Sequence, residues 1–219
     1  MVIKKYIVLA LALIGIFALT GCTPDDESTD ENKMGESRDA KPVIYLYPEE
    51  DTEVTVELEY DGELTCTYPS YEKGWTVLAR PDGTLMDLTT NREYSYLFWE
   101  GISDASYDMS EGYIVKGEDT AEFLQETLAK MGLLPKEYNE FIVYWLPEMQ
   151  ENPYNLITFQ KEDYVKHAGL NINPEPTSVL RVFMAYQALD TPIEVAEPAI
   201  VPFERNGFTV VEWGGTEIK

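Results

Sequence analysis

Histidine and cysteine are nearly missing from this chain of 219 residues: His167 is its one histidine, and Cys22 and Cys66 are its two cysteines. Zinc sites need several His and Cys ligands, so that chemistry is excluded, and most imidazole-based triads go with it. Positive charge is scarce too. Sixteen Lys and Arg against 40 Asp and Glu leave a net charge of -24. Such a field repels nucleic acid and anionic headgroups, which need clustered Lys and Arg to displace counterions, so no nucleic-acid partner is expected. It also favours solubility and resists association. No glycine-rich phosphate loop occurs, and Gly214–Gly215 lies near the chain end with no helix after it, so no nucleotide or other cofactor is expected.

The chain opens with the layout of an export signal. Lys4 and Lys5 lie in the first six residues, and Ile7 to Leu19 is an uncharged apolar run. The run is shorter than the roughly 20 residues of a membrane span, and the residues after Cys22 are acidic instead of forming a basic stop-transfer flank. It ends in Leu19-Thr20-Gly21-Cys22, which resembles the lipobox of bacterial lipoproteins. The resemblance implies that residues 1–21 are a signal peptide and that Cys22 carries lipid, palmitate among its acyl chains. The protein would then be held at the extracytoplasmic face of the cell membrane, where two acyl chains hold and one binds marginally. An ordinary cleaved leader with an incidental cysteine is the alternative.

After Cys22 the residues to Lys41 are mostly Asp, Glu, Ser, Asn and Thr, too polar to offset the entropy of ordering. Residues 22–41 therefore read as a lipidated cysteine and a disordered acidic tether, averaging about 25 Å end to end. Residues 42–219 read as one globular domain, with two β-rich lobes as the variant. With Cys22 committed to lipid, Cys66 is left alone and no disulfide is expected. In Leu64-Thr65-Cys66-Thr67-Tyr68 strict alternation puts Cys66 on the inward face as a small hydrophobe, which argues against a Cys66–His167 dyad.

The domain is rich in strand patterns. Val43 to Tyr47 reads as a buried strand, and Glu53 to Tyr60 alternates and should pair with Leu64 to Tyr68 across an Asp61-Gly62 hairpin turn. Trp75 to Arg80 and Thr84 to Leu88 flank Pro81-Asp82-Gly83 as a second hairpin. Tyr94 to Trp99, Phe141 to Leu146, Tyr154 to Phe159, Val179 to Tyr186 and Gly207 to Trp213 read as further strands, and Gly112 to Lys116 begins the passage into a helix. One helix is expected over about 120–131, with Asp119 and Glu122 at capping spacing, a stripe of Ala121, Leu124, Leu128 and Met131, and Gly132 as its stop; Pro135 to Asn139 adds a turn. The fold class is α+β: a predominantly antiparallel β-sheet or β-sandwich with one main α-helix.

Three segments, Lys41-Pro-Val-Ile-Tyr-Leu-Tyr-Pro48, Tyr144-Trp-Leu-Pro147 and Val211-Glu-Trp-Gly-Gly215, resemble a group of uncharacterised bacterial secreted proteins and lipoproteins. That resemblance spans Lys41 to Gly215. It implies export and carries no activity.

Carboxylates remain as candidate acids and bases. Glu100 and Glu212 each sit beside a tryptophan, Trp99 and Trp213, and close to glycine. Alternation puts Glu212 on the face of Phe208 and Val210, where desolvation raises a carboxylate's pKa unless it is paired. Arg181, interrupting an equally apolar strand, is the expected partner in a buried ion pair; the competing role is a catalytic or ligand-binding carboxylate. Two carboxylates in one cleft lined by both tryptophans would suit glycoside hydrolysis, and the same lining with Arg181 would suit binding of a saccharide or peptide. The loop holding Asp104, Ser106, Asp108 and Glu111 spaces oxygens for calcium, but Met109 and Val115 stand where an EF-hand needs Gly and Glu, so a solvated loop is the plainer reading and no metal is expected.

Three functions are expected on these grounds. The first is a non-catalytic module binding a saccharide or protein ligand of the envelope or exterior. The second is a carboxylate-dependent glycoside hydrolase, and the third a structural component of an envelope assembly.

Overall fold

Over its first four strands the chain crosses from one β-sheet to another at every step, and that crossing defines the architecture. The structure is a computed structural model describing residues 37–219; the leader, Cys22 and most of the expected tether lie outside those residues. Among the described residues twelve strands form two sheets. In the large sheet lie β1 (Ser37–Tyr47), β3 (Glu63–Tyr68), β7 (Leu97–Ser103), β8 (Tyr113–Lys116), β9 (Tyr154–Gln160), β11 (Ser178–Leu189) and β12 (Thr209–Glu217). The small sheet holds β2 (Thr52–Tyr60), β4 (Trp75–Ala79), β5 (Leu85–Asp87), β6 (Arg92–Tyr94) and β10 (Ala168–Asn173). The large sheet has the order β3-β7-β1-β12-β11-β9-β8 and the small one β10-β2-β4-β5-β6. Among the described residues three α-helices complete the domain: α1 (Thr120–Met131), α2 (Pro135–Met149) and α3 (Glu162–His167). The class is α+β and mainly antiparallel, the β11–β12 pair being parallel.

Period-2 alternation splits the large sheet's side chains between two cores. Ile44, Leu46, Leu97, Phe183 and Val210 face the small sheet and pack on Val54, Val56 and Val77. Val43, Tyr45, Val182, Val211 and Trp213 face the other way, onto Leu124 and Leu128 of α1 and Phe141 and Trp145 of α2. The domain is thus three layers deep: small sheet, large sheet, helix pair.

The second expected hairpin forms as read. Ala79 pairs with Leu85, Arg80 N donates to Thr84 O at 2.9 Å, Asp82 Oδ1 accepts from Thr84 N at 2.8 Å, and Gly83 takes φ +88°. Helix α1 also matches, with Gly132 at φ +106° ending it. Asp119 makes no capping bond, however; a short 3-10 turn, Gly117–Asp119, leads in.

Five expectations are corrected. The fold begins before Pro42: β1 starts at Ser37 and Asp39 is fully buried, so residues 37–41 belong to the domain, not to a tether. Asp61-Gly62 is no hairpin turn, since β2 pairs with β10 and β4 while β3 pairs with β7. Glycine is needed there because a Cβ at Gly62 would lie 2.5 Å from the Ile102 carbonyl oxygen. Tyr94 to Trp99 is not one strand but the passage from β6 to β7. Phe141 to Leu146 is the middle of α2, not a strand: Pro135 sits at its first turn, Glu137 Oε2 accepts from Leu134 N at 2.8 Å, and Phe141, Trp145 and Met149 recur every fourth residue on the buried side. Cys66 is exposed, because a bulge between Leu64 and Cys66 breaks the alternation.

Candidate functional site

Between the two sheets the apolar packing is interrupted by a line of charged and polar side chains. Glu212 on β12 is fully buried, and its register partner on β11 is Arg181. Arg181 Nε donates to Glu212 Oε2 at 2.6 Å, and Trp99 Nε1 donates to Glu212 Oε1 at 3.3 Å. The guanidinium lies 4.7 Å over the Tyr164 ring of α3. Burial works against the Arg181 charge, but Glu212 and Tyr164 together outweigh it and the net effect raises the Arg181 pKa. The expected buried ion pair is therefore present.

A second pair continues the line. Asp39 Oδ1 accepts from Tyr107 OH at 2.7 Å, and Asp39 Oδ2 is 3.2 Å from His167 Nε2. Burial pushes the Asp39 carboxyl above the ordinary carboxylate range, with the Tyr107 hydrogen bond and His167 offsetting only part of it. Tyr60 packs edge-on against both Trp99 and His167, with centroids 4.8 and 4.9 Å away. Charged groups at 0% exposure are costly unless paired, and here each has a partner.

Glu100 takes no part in this. On β7, Trp99 faces the small sheet, so Glu100 faces the helix layer, where it accepts from Arg38 Nη2 at 2.8 Å and from Lys41 N at 3.4 Å. Lys41, at φ +59°, extends its ammonium over the rings of Tyr96, Phe98 and Tyr144 at 5.4, 5.3 and 5.7 Å. Glu100 and Glu212 therefore lie on opposite faces of the large sheet and share no cleft. The two tryptophans are likewise back to back: Trp99 is sealed between the sheets, and Trp213 is sealed under α2 with its ring 5.3 Å from Phe141. Neither offers an exposed platform to a sugar or peptide, and Glu212 is committed to Arg181, so the hydrolase pair loses its geometric basis.

The calcium alternative is not assembled either. Asp108 Oδ1 accepts from Ser110 N at 2.8 Å, which lowers the Asp108 pKa, while Gln160 Nε2 donates to the Asp108 carbonyl at 2.8 Å. Tyr107 turns inward to Asp39, and Glu111 bridges to Ala196. Among the described residues no three His, Cys, Asp or Glu side chains gather closely enough to hold a metal ion. His167 faces Asp39 and Tyr60 and belongs to that buried group, so exposed Cys66 has no imidazole partner in it.

Two buried acids escaped the sequence reading. Asp39 lay in the stretch read as tether, and its only signal was the unbroken apolar run that starts four residues later. Glu137 is fully buried in α2 and receives Arg205 in a two-pronged ion pair, Nη1 to Oε1 at 3.0 Å and Nη2 to Oε2. Arg205 also donates to the Gly132 carbonyl from Nη2 at 2.9 Å and Nε at 3.2 Å. It thereby fastens the connection from 190 to 208, which joins parallel β11 and β12, across the helix layer. Glu137 had a sequence signal in its position two residues after Pro135; Arg205 had none.

No protein-family model matches the chain, and no solved structure matches it. Over 99 residues it is 40% identical to the "Uncharacterized protein in bglA 3'region" of Butyrivibrio fibrisolvens, a match that covers 41% of this chain and 95% of that protein. The chain belongs to the same family as that Butyrivibrio protein.

Proposed function

We propose that the protein is a membrane-anchored extracytoplasmic lipoprotein whose acidic, β-rich domain is a non-catalytic binding module for an envelope or extracellular ligand. One observation carries the second half. The groups with the chemistry for catalysis, Glu212, Asp39, His167 and Arg181, are buried and spent on one another, and Glu100 is spent on Arg38. A general acid or base must reach a substrate proton, and these do not. The anchor rests on the Leu19-Thr20-Gly21-Cys22 segment behind an apolar leader. Among the described residues no helix is long and apolar enough to cross a membrane, which is compatible with a lipid doing the anchoring.

The test is labelled-palmitate incorporation and membrane fractionation of the full chain beside Cys22→Ala. Label and membrane retention should both be lost in the variant. A variant that is still labelled and retained sinks the anchor. For the module, envelope glycans and peptides should shift the melting temperature saturably without product; a ligand at 100 times its Kd adds about 2.7 kcal/mol. Release of product, abolished by Glu100→Gln, would return the protein to the hydrolases.

A further inference from the structure

Arg181 lines the surface as well as the buried line of charges. Its Nε serves Glu212, yet its Nη2 is buried with no hydrogen-bond partner, although the side chain as a whole is only 10% exposed. A charged donor without an acceptor is costly, and the fork formed by the two Nη atoms matches a carboxylate. The same side chain lines two adjoining surface depressions of about 540 and 620 Å³, which share Val165, Val179 and Arg181. Each is within the range of small-molecule sites, about 300–1,000 Å³.

The walls are apolar. Val165 and Val179 are 47% and 42% exposed beside the guanidinium, and Leu170 and Ile172 of β10 continue the surface on one side. β10 is an edge strand of the small sheet, so its outward backbone groups have no strand partner there. Lys161 and Lys166 stand on the other side. Lys166 is 3.6 Å from Asp163, while Lys161 makes no ion pair among the described residues. Glu162 and Glu175 also border the groove. Three of the 16 basic residues meet here in a chain with a net charge of -24; Arg181 and Lys166 are paired with Glu212 and Asp163, which among the described residues leaves Lys161 as the cation without an ion pair beside the apolar floor.

We infer that this groove binds a small organic anion with an apolar body, an aliphatic or aromatic carboxylate. The carboxylate takes the exposed part of the Arg181 guanidinium with Lys161 beside it, and the apolar body lies on Val165, Val179 and Ile172. The assignment rests on the reading of the domain as a binding module and names the ligand class for it.

Titration calorimetry and melting curves on the full-length Cys22→Ala chain, which carries no acyl group, test it with octanoate, acetate and octylammonium as probes. Octanoate should bind saturably and raise the melting temperature, while acetate and octylammonium do neither at the same concentration. Val179→Asp, at an exposed position that spares the Arg181–Glu212 pair, should weaken octanoate at least about tenfold, as should Lys161→Glu. Equal binding of octylammonium would reduce the groove to an apolar patch, and equal binding of acetate would mean an adventitious ion only. No saturable octanoate binding, or unchanged binding in Val179→Asp, overturns the assignment. If glycans or peptides still shift the melting curve in that case, the groove is wrong and the binding module stands.

Discussion

Asp39, two residues into β1, and His167, at the last position of α3, meet at 3.2 Å across 128 residues of chain. The contact ties the N-terminal strand of the large sheet to the helix that leads into the small one. Its acid is wholly buried, which makes the pair sensitive to pH.

The direction of that sensitivity comes from the raised Asp39 pKa. Below the usual Asp value of about 3.9 both folded and unfolded chains hold the proton and Asp39 contributes no pH dependence. As pH rises through that value the unfolded chain releases its proton first, so stability falls until the folded pKa is passed, by about 1.4 kcal/mol for each pH unit that separates the two pKa values. Asp39→Asn lacks this decline. Urea midpoints of both proteins should give a wild-type-minus-variant stability that falls as pH rises from about 4; a flat difference would mean that Asp39 is solvated.

Arg181→Met leaves Glu212 buried without its cation, and breaking such a pair costs about 3–5 kcal/mol. The double variant Arg181→Met, Glu212→Leu should recover most of that loss. Denaturant unfolding of the single and double variants measures the coupling, and additive losses would show that the pair is not a unit.

Arg205→Ala should cost about 3 kcal/mol by the same reasoning, because Glu137 is left without its partner in α2. Arg205→Lys should recover only part, since one ammonium cannot reproduce a two-pronged contact. Hydrogen exchange should rise locally over 190–208 before global unfolding; uniform exchange would deny the strap.

Tyr45, Tyr107 and Tyr164 are raised well above the ordinary phenol value, by burial first and then by Glu140, by Asp39 and by Glu212 respectively. The unfolded chain ionises these phenols near pH 10 while the folded chain keeps their protons, so stability present below about pH 10 is lost above it. In an alkaline titration, phenolate absorbance should appear in two stages. The three buried rings titrate only with the unfolding transition seen by circular dichroism, after an earlier stage from the rest of the phenols. One smooth stage in a still-folded protein would refute the burial of these three rings.

Wherever a strand's own alternation or a turn's own chemistry decided the structure, the sequence was readable. Trp75 to Leu88, α1 with Gly132, and the placing of Glu212 on the face of Val210 opposite Arg181 all come from local pattern. The misreadings have one physical source, which is that a distant surface overrode the local signal. Phe141 to Leu146 carries strand-favouring residues, yet one side of the segment is taken up by the large sheet, and Pro135 with Glu137 starts a helix. Gly62 serves close packing against Ile102, so a turn residue without a turn misled the pairing of β2. Cys66 was turned outward by one bulge, and Asp39 was drawn inward by His167 and Tyr107, residues that no window around it contains. The failed carboxylate pair has the same origin: Trp99-Glu100 and Glu212-Trp213 look alike in sequence, but reversed order puts their acids on opposite faces.

β1 is the first strand of the described residues, and it is third in the large sheet, with β7 on one side and β12 on the other, both antiparallel. Ladder hydrogen bonds in antiparallel pairs lie across the strand direction. Tension applied at Ser37 along β1 would load both ladders in shear, many bonds at once, instead of peeling an edge strand bond by bond. A domain joined to a surface through this residue would resist flow and drag best when pulled along that axis, and the register from Val43–Trp213 to Tyr47–Thr209 would be the last part to slip.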